Sequence, residues 1–147
     1  MLEAVCRAID VDPVALMRSG KSVPLLGILD ADGFVKPLPP NSEVTAPAPY
    51  LGVDPEKLGA LRWEPSARIK LMNGHNVYFR RDVDGIDPKA WGQRAIIRLK
   101  DDTQRMGWLK REGGQVHIDD VFGTSDFNVD LVWASKVLGI LPPEEDW

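Results

Sequence analysis

Side chains that bind metals or act as nucleophiles are few in this chain and widely separated. His75, His117 and the single cysteine, Cys6, show no spacing that resembles a zinc site. The segment 82–87 carries three aspartates around Gly85, as a calcium loop would. In a calcium loop the glycine comes later and a bidentate glutamate stands at the twelfth position, so a solvated acidic turn is favoured. We therefore predict no metal and no cofactor.

No local pattern marks a nucleophile or a phosphate-binding loop. The chain has no Gly-x-Ser-x-Gly elbow, the turn that exposes the serine of many hydrolases. Gly113 and Gly114 separate two candidate strands, which predicts a hairpin turn rather than a phosphate cradle. Each histidine is predicted to be an ordinary surface or half-buried residue.

The charge balance argues against a surface built for nucleic acid. The 147 residues suit one compact domain and carry a net charge of −4. Acidic neighbours accompany Arg80-Arg81 and the group Arg105, Lys110 and Arg111, which favours solvated faces over a nucleic-acid site. The five tryptophans are not interleaved with basic residues, so core or interface packing is predicted for them.

The cellular setting follows from what the composition lacks. A single cysteine allows no disulfide within the chain, which favours a reducing compartment. No apolar run approaches the roughly 20 residues that cross a bilayer. The first residues lack the basic and apolar regions of a signal peptide. These features predict a cytoplasmic protein without a membrane partner.

The elements divide into a short helical arm and a β domain. Apolar residues within 2–9 recur at helical spacing, and Asp12-Pro13 begins a second short helix that Gly20 closes. Beyond it, over residues 21–147, short apolar segments alternate with turns, which predicts a mainly β domain. The predicted strands are 23–29, 34–35, 58–63, 76–79, 95–99, 105–109, 115–118 and 131–141. Short helical segments are predicted at 53–58 and 88–91, and an irregular segment at 37–49.

Several of these segments carry a family resemblance when they are taken in order. They are 23–27 (VPLLG), 28–33 (ILDADG), 48–50 (APY), 71–79 (LMNGHNVYF), the strands around Gly107, and 132–140 (VWASKVLGI). Their order and spacing resemble the C-terminal domain of LexA and of phage repressors that cleave themselves, over about residues 22–143. The resemblance implies a coiled β-sheet domain similar to that of LexA and signal peptidase. It also implies a role in transcription regulation, in a phage or prophage setting.

The resemblance extends to the arm over residues 1–20. Residues 2–17 look like the tail of a helix-turn-helix DNA-binding domain, so the arm is predicted to be a remnant of that domain or a linker. DNA would then be bound only through a helix-turn-helix that this sequence lacks.

The resemblance also implies where a serine–lysine dyad would stand. In the family, a buried lysine takes the proton from a serine that attacks an Ala-Gly bond. The serine position falls on Ser66, eight residues before Gly74, but the family's Gly, Asp and Met neighbours are absent. The lysine position falls on Gly107, and the cleavage site on Ala31-Asp32.

Neither cation near Gly107 is a suitable replacement for the missing base. Lys110 lies three residues on, which in a strand points to the opposite face. Arg105 shares the face but stays protonated. We therefore predict a pseudo-peptidase that has lost self-cleavage, with Ser66 as a vestigial nucleophile.

What remains of the family's role is dimerisation and regulation. The closing strand is long and apolar, and an exposed edge of that kind must be covered or paired. The predicted interface residues are Leu131, Trp133, Val137, Leu138 and Ile140, with burial inside the monomer as the open alternative. The partner would be a second copy or a full-length repressor. Other readings are an active serine–lysine protease with a displaced base, a stand-alone antirepressor-like protein, and an unrelated β domain that binds an unidentified ligand.

Overall fold

The computed structural model describes residues 18–64, 73–120 and 125–143, and the predicted mainly β fold is confirmed. Two 3₁₀ turns, Pro55–Lys57 and Pro88–Ala90, lie between strands, each capped by the preceding aspartate. The ten strands are β1 (Arg18–Leu29), β2 (Val35–Pro37), β3 (Thr45–Pro49), β4 (Leu58–Trp63), β5 (Asn76–Arg80), β6 (Arg94–Leu99), β7 (Gln104–Glu112), β8 (Gln115–Asp119), β9 (Ser125–Phe127) and β10 (Leu131–Leu141).

The predicted end of the helical arm at Gly20 is wrong, because β1 already begins at Arg18. Gly20 has a φ of +77° and lies where the pairing of β1 with β3 shifts register between Arg18 and Ser22. A left-handed glycine closes a helix or forms a bulge in a strand equally well. Sequence spacing alone therefore did not distinguish a helix end at Gly20 from a bulge in a strand. The rest of the predicted arm, residues 1–17, lies outside the described residues.

The proline-rich segment 37–49 was predicted to be irregular, yet it contains strand β3. This strand buries Ala46 and Ala48, and among the described strands it pairs only with β1. Prolines 47 and 49 cost little there because a strand with one neighbour needs only half of its backbone donors.

The sheet curls until its two sides meet. Its order is β2-β1-β4-β5-β10-β6-β7-β8-β9, and β3 pairs with β1 outside this order. Phe34, the residue before β2, forms a bridge with Arg105 on β7, and the Met106 N–H donates to the Gly33 carbonyl oxygen at 2.9 Å. These bonds close β2, β1, β4, β5, β10, β6 and β7 into a ring, which we call the strand ring.

Alternating side chains build separate apolar clusters on the two faces of the sheet. The cluster shared by all the long strands of the ring contains Leu29, Leu61, Trp63, Val77, Phe79, Ile96 and Met106. A second cluster lies between β3 and strands β1, β4 and β5, and a third packs β6, β7, β8 and β10 together.

Candidate functional site

The predicted former cleavage site lies at the tip of the hairpin that joins β1 to β2. The Asp30 carboxylate accepts hydrogen bonds from the backbone N–H groups of Asp32 (2.9 Å) and Phe34 (3.0 Å). The Gly33 N–H donates to the Asp30 carbonyl oxygen at 3.1 Å. The Ala31–Asp32 peptide bond is therefore part of a tight turn that one aspartate holds in shape.

This turn is joined to β7 immediately beside the predicted lysine position. The Gly33 carbonyl oxygen accepts from the N–H of Met106, the residue before Gly107. The structure thus brings the Ala31–Asp32 turn and Gly107 together, although 75 positions separate Asp32 from Gly107 in the sequence. Ser66 lies outside the described residues, so its predicted place in the site stays a prediction.

Gly107 occupies a position that has no room for a side chain. A Cβ atom added there would lie 2.6 Å from Ile118 Cγ2 and 2.9 Å from the Asp119 carbonyl oxygen. Both atoms belong to β8, and the second is backbone, so it cannot swing away. Gly107 therefore allows β7 and β8 to approach closely, in addition to lacking a base.

Lys110 is held as a cation on β7. Its ammonium group lies 2.6 Å from the Asp119 carboxylate on β8. The hydrogen bond and the charge of Asp119 raise the pKa of Lys110 above its ordinary value. A general base requires the opposite shift, toward a neutral amine at neutral pH.

Arg105 is also engaged in contacts of its own. Its guanidinium is buried, forms an ion pair with Asp126 on β9, and lies 5.4 Å from the centre of the Phe34 ring. Through these contacts Arg105 links β9 to the hairpin that carries Ala31 and Asp32.

The structure reveals a polar cluster on β7, β8 and β9 that sequence reasoning missed. The Ser125 hydroxyl donates to the Asp119 carboxylate, which also holds Lys110. His117, buried beside it, packs edge-on against Phe127, with ring centres 4.8 Å apart. No local sequence pattern indicated the cluster, because its members meet only through the cross-strand register of three strands.

The chemistry of this cluster does not activate the serine. Hydrogen bonds from Lys110 and Ser125 lower the pKa of Asp119 below its usual value. A carboxylate with a lowered pKa is a poor acceptor for a serine proton. The cluster therefore ties three strands together and provides no second catalytic dyad.

The premise that β10 is an edge strand is wrong for the sheet as a whole, because β10 lies between β5 and β6, although each half of β10 pairs with only one of these two strands. Residues 131–136 pair with β6, and Ala134 exchanges further backbone bonds with Gly85 and Asp87 on its other side. Residues 137–141 pair with β5. A long apolar strand is equally well explained by a central place in a sheet, and that is where β10 lies.

The predicted interface residues are all half-buried inside the monomer. Leu131 packs against the cluster between β6, β7, β8 and β10, while Leu138 packs against the cluster beneath β3. Trp133, Val137 and Ile140 pack against the cluster within the strand ring. Their apolar character is therefore largely accounted for by packing within one chain.

One part of the β10 backbone remains open. Within the described residues, no strand pairs with residues 137–141 on the side away from β5. A groove of about 400 Å³ runs along this side, lined by Trp108, Gln93, Arg94 and residues 137–140. Trp108 is 41% exposed although it is a large apolar side chain. We call this region the β10 groove.

Comparisons with known proteins give no assignment, since neither the models of protein families nor the curated proteins contain a match to the chain. In the described part of the chain, no three His, Cys, Asp or Glu side chains gather as a metal ion would require. The same residues include no helix with the length and apolarity to span a membrane.

Proposed function

We propose that the chain is a non-cleaving dimerisation and regulatory domain of a repressor-type transcription regulator, similar to the C-terminal domain of LexA. DNA would be bound by a separate helix-turn-helix domain, and the setting would be the cytoplasm of a phage or prophage host. The observation that carries the proposal is the enclosure of Gly107 by β8 beside the Ala31–Asp32 turn.

The loss of self-cleavage is supported by Gly107 and by the two cations beside it on β7. Gly107 has no side chain and no space for one. The pKa of Lys110 is raised by Asp119, and Arg105 is paired with Asp126. A serine hydroxyl without a neighbouring base is a weak nucleophile, so a serine at position 66 would not be activated by these residues.

Dimerisation is supported by the β10 groove. An open strand edge beside exposed apolar surface is the arrangement in which a second chain adds a strand. Leu138 and Ile140 flank the open backbone, and the Trp108 indole forms one wall. We propose that a second copy of this chain, or the equivalent domain of a full-length repressor, pairs along residues 137–141.

Sedimentation equilibrium at tens of micromolar protein tests this assignment. We expect the chain to sediment as a dimer. Trp108→Ser should weaken the dimer about tenfold or more, because large aromatic side chains dominate such interfaces. Phe127→Ser removes an even more exposed aromatic side chain (68%, against 41% for Trp108) outside the groove and should leave the dimer unchanged. A wild-type chain that stays monomeric at high micromolar concentration would remove the proposal.

A further inference from the structure

The strand ring is open at one end, where its interior meets solvent. The opening is a cleft of about 550 Å³, bordered by residues from all seven strands and by the loop after β5. Its floor is formed by Leu61, Phe79 and Ile96, which are almost fully buried beneath it. A volume of this size lies within the range of small-molecule sites.

Trp133 forms a fixed wall of this cleft. Its indole N–H donates to the Val83 carbonyl oxygen at 2.8 Å, and its ring packs edge-on against Phe79 with centres 6.1 Å apart. These contacts hold the indole in one orientation. The wall is therefore formed before any ligand arrives, which lowers the entropic cost of binding.

Two guanidinium groups at the cleft have no anionic partner among the residues that the structure describes. Arg98 lies over the Trp133 ring, 5.7 Å from its centre, and Arg81 donates to the neutral carbonyl oxygen of Glu56. Across residues 18–64, 73–120 and 125–143, no carboxylate forms an ion pair with either group. Arg80, next in the chain, is by contrast neutralised by Asp82.

The cleft therefore combines an apolar floor with an uncompensated positive rim. Asp84 is the one carboxylate among its lining residues, against Arg81 and Arg98. Arginine favours carboxylates because its planar fork donates two parallel hydrogen bonds. We propose that the open end of the strand ring binds a small organic acid, with its apolar body against Trp133 and its carboxylate at Arg98. This site is distinct from the β10 groove and does not depend on dimerisation.

The test uses 3-phenylpropionate and its neutral amide as probes, followed by the NMR signal of the Trp133 indole N–H. That signal is assigned by its loss in Trp133→Phe, and it reports on the cleft because the indole forms its wall. We expect the acid to shift it saturably at millimolar concentration or below. The amide should bind about tenfold more weakly, since it keeps the apolar body and loses the charge.

Variants of two stacked arginines separate the proposed site from general charge effects. Arg98→Met should weaken binding of the acid about tenfold, and Arg98→Lys should restore part of it. Arg111 also stacks on a tryptophan, 4.1 Å from the centre of Trp91, but lies outside the cleft, so Arg111→Met should change nothing. The proposal is overturned if the acid causes no saturable shift, if the amide binds equally well, or if Arg98→Met and Arg111→Met behave alike.

Discussion

Strand β7 borders two regions that have opposite properties. Around Gly107 it lies so close to β8 that a single added carbon would collide with backbone. Near Gln104, at the start of the same strand, it borders an open cleft of about 550 Å³. The cations differ in the same way. Arg105 and Lys110 are each paired with a carboxylate, whereas Arg98, across from Gln104 on β6, is not.

The difference shows which parts of the molecule can still acquire a partner. At Gly107 packing is complete and the charges are neutralised, so the region that would carry catalysis acts as structure. At the open end of the strand ring, both apolar surface and positive charge remain unsatisfied within the described residues. Under the proposed function, catalysis would have been lost where the strands pack closely, and the proposed binding site lies where they separate.

Adding a side chain at Gly107, in the closely packed region, should lower the free energy of unfolding more than any other change described below. Gly107→Ala is expected to lower the free energy of unfolding by roughly 3 kcal/mol, because the new Cβ must push β8 away. Gly107→Lys should be more destabilising still and should not restore cleavage. Urea unfolding followed by tryptophan fluorescence gives the values. Glu112→Lys, a change at the exposed end of β7, is the control. If Gly107→Ala were as stable as wild type, the close approach of β7 and β8 at position 107 would not be required for stability.

Removing the partner of Arg105 should have an intermediate effect. Asp126→Asn is expected to cost about 2 kcal/mol, since it leaves a buried guanidinium without its carboxylate. Arg105 also contacts Phe34, so the hairpin that carries Ala31 and Asp32 should loosen at the same time. Hydrogen exchange at the Met106 amide, which bonds to Gly33, measures this directly. Unchanged exchange in the variant would show that the hairpin is held independently of the ion pair.

The smallest effect is expected at the Lys110–Asp119 pair, and it should depend on pH. The pKa of Asp119 is lowered in the folded protein. Its contribution to stability is therefore present above the pKa of an unfolded aspartate, about 4, and is lost as the pH falls through the pKa of the folded state. The pKa of Lys110 is raised in the folded protein. Its contribution to stability is therefore present below the pKa of an unfolded lysine, about 10.4, and is lost as the pH rises through the pKa of the folded state.

Asp119→Asn should therefore be less stable than wild type on a plateau around neutral pH and should approach it at both extremes. Thermal unfolding across the pH range gives the curve. The exposed Glu43→Gln is the matched charge change elsewhere. If the stability difference between Asp119→Asn and wild type stayed constant down to strongly acidic pH, the Lys110–Asp119 ion pair would not be the cause of that difference.

The sequence was informative where one strand or turn determines the outcome. Short apolar segments bounded by turn residues predicted β4 and β10 at their observed bounds. Asp54-Pro55 predicted the start of the 3₁₀ turn that precedes β4. The sequence was misleading where the same pattern is compatible with two different structures. Gly20 could close a helix or bulge a strand, and the apolar run of β10 could be an edge or a centre.

The site itself could be predicted only in part. The turn at Asp32-Gly33 followed from residue types, whereas the missing base at Gly107 was inferred only from the resemblance to the LexA family. The closeness of Gly107 to Asp119, the cluster of Ser125 with Lys110, and the open end of the strand ring all depend on cross-strand register and sheet closure. Those are set by pairings between distant segments, which local patterns do not encode.

The proposed function requires that no base acts on the Ala31–Asp32 bond. Prolonged incubation at about pH 10, where an ordinary lysine becomes partly neutral, followed by intact-protein mass spectrometry, is the decisive test. We expect a single species with the mass of the uncut chain. Two complementary fragments that end at Ala31 and begin at Asp32, formed at a rate independent of protein concentration, would show that the chain is an active self-cleaving protease.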